Sequence, residues 1–180
     1  MLLQQAGVEY RPVDPPIPEP RDIDEGLTPS QHAEALAYFK ASSVERVRHA
    51  GAILGADTVV SLEGDILGKA PGPVQAAEML ARLSGTRHEV ITGVALLAPD
   101  GWRMIASEIT YVTMRTMTDA EIDGYVQSGE WRGKAGSYAI QETGDRFVTN
   151  VEGSFSNVVG LPMELVARML NAFDTRTDGV

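Results

Sequence analysis

Several stretches of this 180-residue sequence hold residues that could meet an anion or a metal ion. In AILGADTVVS, Asp57 interrupts an apolar run. A carboxylate among such residues is costly to bury unpaired. It must therefore end a strand, face a cation or bind a metal, or else serve as a turn residue capping Thr58. Asp22, Asp24 and Glu25 form an acidic knot whose oxygens suit a hard cation such as Mg2+; a solvated acidic loop is the plainer reading. Lys40 lies on a helix otherwise apolar on that side, where a lysine commonly snorkels to the surface. Lys69, in GDILGKAPG, stands just before a helix start, where backbone N–H groups and one ammonium can cradle an anion. The Walker pattern GxxxxGK[ST] is not met there. In GEWRGKAGSYAIQ, Lys134 sits among glycines that allow close backbone approach to a ligand, and an amide, Gln141, follows. If Ser137–Gln141 is extended, Ser137, Ala139 and Gln141 share one face and Tyr138 and Ile140 the other.

The elements that must position these residues follow from periodicity and caps. Met1–Ala6 reads as a helix tail stopped by Gly7, and Val8–Val13 as a strand. A Pro-rich acidic loop leads to a helix capped by Thr28 or Ser30 and running to about His49. Strands are predicted at Ala52–Ser61, His88–Ala98, Trp102–Met117 and Phe147–Val151. Helices are predicted at Val74–Leu83 behind Pro73, from the Thr118–Glu121 capping box to Ser128, and from Pro162 to near Ala172. Helices alternating with strands, with a central hairpin, define an α/β or α+β domain on a mixed sheet.

The charge excludes other classes. Fifteen basic and 25 acidic residues give a net charge of −10, with no basic stripe for nucleic acid. Attraction for a phosphate compound must then be local, from a few cations. No apolar run approaches 18 residues, so no membrane span is predicted. The absence of Cys excludes thiolate sites and fits a reducing, cytoplasmic setting. His32, His49 and His88 lack metal-ligand spacing, and His88 at a strand entry reads as structural. GSFSN is not the GxSxG elbow of a serine hydrolase.

Taken in order, QQAGVEY, DIDE, the Lys40-Ala41 helix, GADTVV, LGKA, SGTRHEVITGV, SGEWRGKAGSYAIQ and GSFSNVVGLP resemble the Maf family of nucleoside triphosphate pyrophosphatases over nearly the whole chain. The resemblance implies a fold similar to the inosine-triphosphate pyrophosphatases: an elongated mixed sheet flanked by helices, with two lobes and a central cleft. It implies hydrolysis of a nucleoside triphosphate to the monophosphate and pyrophosphate with a divalent metal, Mg2+ or Mn2+, in a homodimer. The KAG-x-Y-x-IQ form is similar to the branch acting on dTTP and UTP. Position by position, Glu25 and Asp57 would bind the metal, and Asp57 would activate water. Lys40, Lys69 and Lys134 would meet phosphates, with Lys69 counted in the catalytic set, and Gln141 would contact the nucleotide. Ala70 stands where the family commonly has Pro.

The family usually opens with a strand and a Ser-x-Ser-Pro-Arg-Arg segment, whereas this sequence starts at Met1-Leu2-Leu3, within the helix that follows. The expectation is one domain over residues 1–180, trimmed at its N-terminus. Each lost donor to a buried charge would cost on the order of 1.5–3 kcal/mol. The alternative function is a catalytically impaired nucleotide-binding or structural homologue.

Overall fold

The computed structural model describes residues 2–18, 20, 26–45, 51–141 and 143–177. Asp22, Asp24 and Glu25, and the expected helix extension to His49, lie outside the described residues. Helix α1 spans Leu2–Gln5 and ends at Gly7, whose N–H bonds the Gln4 carbonyl at φ +72°. The strand expected at Val8–Val13 does not form. That stretch has one half-buried residue, Val8, and Pro12 has no N–H to give a ladder.

Helix α2, Pro29–Glu45, opens on Thr28. The Thr28 hydroxyl accepts from the Gln31 N–H, and the Gln31 side chain accepts from the Thr28 N–H. Strands β1 (Ile53–Leu62) and β2 (Asp65–Leu67) form a tight hairpin, then α3 (Pro73–Leu83) follows. The predicted central hairpin is present as β3 (Arg87–Leu97) and β4 (Arg103–Met114). Helix α4, Asp119–Ser128, starts on the expected capping box, with Thr118 and Glu121 exchanging both bonds, and stops at Gly129. A 3-10 turn (Thr143–Phe147) leads to β5 (Val148–Glu152), short helix α5 (Phe155–Val159) and α6 (Met163–Thr177).

Helices flank one five-stranded sheet of order β2-β1-β3-β4-β5. All four ladders are antiparallel, where strands of both directions were expected. The described strands join through hairpins or through returns that reverse direction, and no right-handed parallel crossover links any two of them.

The two sheet faces are covered differently. Odd-numbered positions of β1 and β3 face α2. Ala33, Ala37 and Ala41, four residues apart and fully buried or nearly so, lie on one side of that helix. They meet Gly93 and Gly55 at backbone distance: a Cβ at Gly93 would fall 2.3 Å from the Ala33 carbonyl carbon and oxygen. The even face carries two clusters. Val94 and Leu96 pack on Leu165, Val166 and Met169 of α6. Val60, Val90 and Val112 pack with Leu80 and Leu83 of α3, Tyr125 of α4, Trp131 and Tyr138. The cleft opens beside this second cluster. No helix among the described residues is long and apolar enough to cross a membrane.

Candidate active site

The cleft is built from six separate stretches. Its lining includes Lys40 of α2, Ala56 to Thr58 and Val60 of β1, Lys69, and Val90 of β3. Gly133 to Ala135, Tyr138 to Gln141, and Val158 to Gly160 complete it. It encloses about 270 Å3 and is open to solvent, so a nucleotide would be held in part, the remainder reaching outward.

Asp57 projects from the α2 side of β1 and is nearly buried. Its carboxylate Oδ1 accepts from the Lys40 Nζ at 2.5 Å. Lys40 follows Ala37 by three positions, so the small-residue packing of α2 on the sheet places its ammonium there. This resolves two open readings: Asp57 is a cation-paired carboxylate within a strand, not a turn cap, and Lys40 is turned into the cleft and not outward.

Lys69 and Lys134 are neighbours through backbone. Lys69 forms an isolated antiparallel bridge with Ala135, and the Gly136 N–H donates to the carbonyls of Leu67 and Gly68. Gly136 has φ +65°, and a Cβ there would come within 2.9 Å of the Val60 side chain. Its glycine therefore serves approach to the core, where approach to a ligand was expected. Lys69 itself lines the cleft. No residue of the first turn of α3 lines it, so the expected cradle of helix-start N–H groups does not form.

The extended reading of Ser137–Gln141 is also corrected. Ser137 takes φ +62° and buries its hydroxyl against the Met79 sulfur. The chain then turns, and Tyr138, Ala139, Ile140 and Gln141 all border the cleft. A left-handed residue breaks the two-residue alternation on which the face assignment depended. Arg132 lies outside the cleft, its guanidinium 5.3 Å from the Trp131 ring centre.

Two supports were not legible beforehand. Asn157 is wholly buried; its amide donates to the carbonyls of Val90 and Glu108 and to the Thr110 hydroxyl, fixing α5 and the Val158–Gly160 wall on the sheet. The GSFSN motif flagged the stretch without indicating this use. Thr58 and Thr92 share a hydroxyl bond of 2.8 Å under the cleft. No local signal marks such a pair 34 residues apart.

His88 is a structural histidine, as expected: buried on β3, with Nε2 2.8 Å from the Tyr138 hydroxyl. Burial pushes its pKa down to about 4. The folded protein thus holds it neutral while the unfolded chain takes up a proton near pH 6.5. Its contribution is whole above pH 6.5, falls as pH drops towards 4, and levels below that. The loss is expected to be on the order of 3 kcal/mol at most. Urea melts from pH 7 to 4 should show this slope in the wild type and lose it in His88→Gln; parallel curves would refute the assignment.

Among the described residues no three His, Cys, Asp or Glu side chains gather as a metal cluster. Asp57 at the cleft offers one carboxylate. That fits a Mg2+-type site in which substrate phosphates supply most of the ligands; the second expected ligand, Glu25, lies outside the described residues.

Fold and site together define a class: an acidic α/β protein with all three of its lysines lining one cleft beside a carboxylate, suited to a small polyanionic ligand. The lineage is specific. The family Maf, described as Maf-like protein, matches residues 1–173, and the chain belongs to it. The chain is 42% identical to the dTTP/UTP pyrophosphatase of Caulobacter vibrioides over 179 residues, 97% of this chain and 90% of that protein. It is 45% identical to the dTTP/UTP pyrophosphatase of Gloeobacter violaceus, again over 97% and 90%. A nucleoside triphosphate pyrophosphatase of Xylella fastidiosa is 42% identical over 96% of this chain and 92% of its own. A solved nucleoside-triphosphatase / dITP/XTP pyrophosphatase from Mycobacterium abscessus aligns over 98% of this chain and 88% of its own, with a TM-score of 0.44 and 14% identity, too distant to bear on the site.

Proposed function

We propose that this protein hydrolyses nucleoside triphosphates, dTTP and UTP foremost, to the monophosphate and pyrophosphate, using a divalent cation. One observation carries the reading: Lys40, Lys69 and Lys134, from three distant stretches, converge on one cleft with Asp57. In a chain of net charge −10, three lysines gathered at one cleft suit a strongly anionic ligand. The names of the relatives supply the substrate class.

In this reading Lys69 and Lys134 meet the phosphates as compact point charges. Asp57 accepts a proton from the attacking water as its oxygen bonds to the α-phosphorus. The bond from that phosphorus to the bridging oxygen breaks, and pyrophosphate leaves carrying its electron pair. Lys40 holds Asp57 in place and stands ready to meet phosphate charge as it develops. The cation, Mg2+ or Mn2+, would be held by Asp57 and the phosphates and would screen their charge. Gln141 faces the nucleotide with its amide. The reading includes a cytoplasmic setting and a homodimer, the latter checked by light scattering against the 19.4 kDa chain mass.

The test is pyrophosphate release from a panel of ribo- and deoxynucleoside triphosphates with Mg2+ or Mn2+. dTTP and UTP should lead. Nucleotide binding without turnover under either metal would replace this reading with the nucleotide-binding one. Neither binding nor turnover would remove both.

A further inference from the structure

The segment that carries Lys134 and Gln141 has no helix or strand of its own from Gly129 to Gln141. Its first half is held to the end of β2 and the residues after it by the Gly136 N–H and the Lys69–Ala135 bridge. Beyond Ser137 two side-chain hydroxyls tie the segment down. The Ala139 N–H donates to the Tyr125 hydroxyl at 3.2 Å, and the Tyr138 hydroxyl meets His88 Nε2 at 2.8 Å. Tyr138 stands midway between Lys134 and Gln141 and itself lines the cleft.

His88 costs more than a leucine would at the same buried place on β3, because an imidazole must be desolvated. Its Nδ1 has no hydrogen-bond partner among the described residues, so the ring has one polar tie, to Tyr138. The two rings meet edge to face, 5.5 Å between centroids and 83° between planes, which fixes the tyrosine in direction as well as distance. We propose that His88 is a positioning residue: through Tyr138 it sets the Lys134–Gln141 segment against the sheet so that the lysine and the amide reach one ligand. Burial keeps the imidazole neutral near pH 7, so the tie does not vary with protonation there. The proposal rests on the functional reading above for its catalytic consequence and on the geometry alone for its structural one.

The test compares wild type with Tyr138→Phe, His88→Leu, the double variant and His88→Gln. In the ligand-free proteins, amide hydrogen exchange should speed up across residues 134–141 in Tyr138→Phe and His88→Leu and stay at wild-type rates in β3 and β4. With dTTP, each single variant should raise KM about tenfold, as expected for one lost buried hydrogen bond, while kcat stays within about threefold. The double variant should be no worse than the singles. His88→Gln, whose amide can still meet the tyrosine hydroxyl, should recover most of the loss. Unchanged exchange in Tyr138→Phe, unchanged KM, or exchange raised uniformly over the sheet overturns the proposal. If the wild type itself turns over no nucleotide, the functional reading fails, and the exchange pattern alone decides whether His88 positions the segment.

Discussion

Asp57→Asn is expected to lower pyrophosphate release by about 10²–10⁴-fold, the usual contribution of a positioned general base, with little change in folding. The asparagine has nearly the same shape, and its Oδ1 can still accept from the Lys40 ammonium 2.5 Å away. What it lacks is the ability to take a proton and the charge to anchor a cation. Removing the other partner is a different experiment. Lys40→Met removes this lysine from a nearly buried carboxylate, and the expected effect is on stability, up to about 3–5 kcal/mol, whereas Asp57→Asn acts on the chemistry. Stopped assays on dTTP, with circular dichroism to confirm folding, separate the two. Turnover of Asp57→Asn within threefold of wild type would take Asp57 out of the base role.

Gly93→Ala is expected to destabilise the protein by about 3 kcal/mol or more, at the upper end for overpacking. The new methyl group would sit 2.3 Å from the Ala33 carbonyl and 2.4 Å from the Glu34 nitrogen, both helix backbone that cannot rotate aside. Helix α2 must lift off the sheet, and Lys40 rides on it. A thermal midpoint lower by on the order of 10 °C is the expected reading, together with loss of turnover in whatever remains folded. Gly124→Ala is the control: it lies in α4 with nothing within 4 Å of the added carbon, and an interior helix glycine replaced by alanine should be neutral or slightly stabilising. A Gly93→Ala protein that melts with the wild type would mean that α2 does not pack on β3 as described.

The site was legible in part. Asp57 stood out because a carboxylate in an apolar run needs an explanation, and that explanation proved to be a lysine 17 residues away on another element. Lys69 and Lys134 stood out by their glycine surroundings, yet the glycine at 136 faces Val60 and not a ligand. Tyr138 and Gln141 could not be placed correctly. The face rule for strands assumes regular φ and ψ, and Ser137 at φ +62° breaks it. His88 was readable as structural, but its partner, 50 residues on, was not.

By itself the sequence determined where most elements begin and end, because caps, proline positions and apolar periods act within a few residues: Thr118 and Glu121 make their box whatever lies beyond. It also determined that positive charge is scarce and so must be gathered locally to meet an anion. Only the tertiary structure decided the antiparallel order β2-β1-β3-β4-β5, the seating of α2 on two glycines, and the meeting of Lys40, Asp57, Lys69 and Lys134 at one cleft. Those outcomes depend on which surfaces exclude water together, and that is a property of the packed chain as a whole that no short spacing encodes.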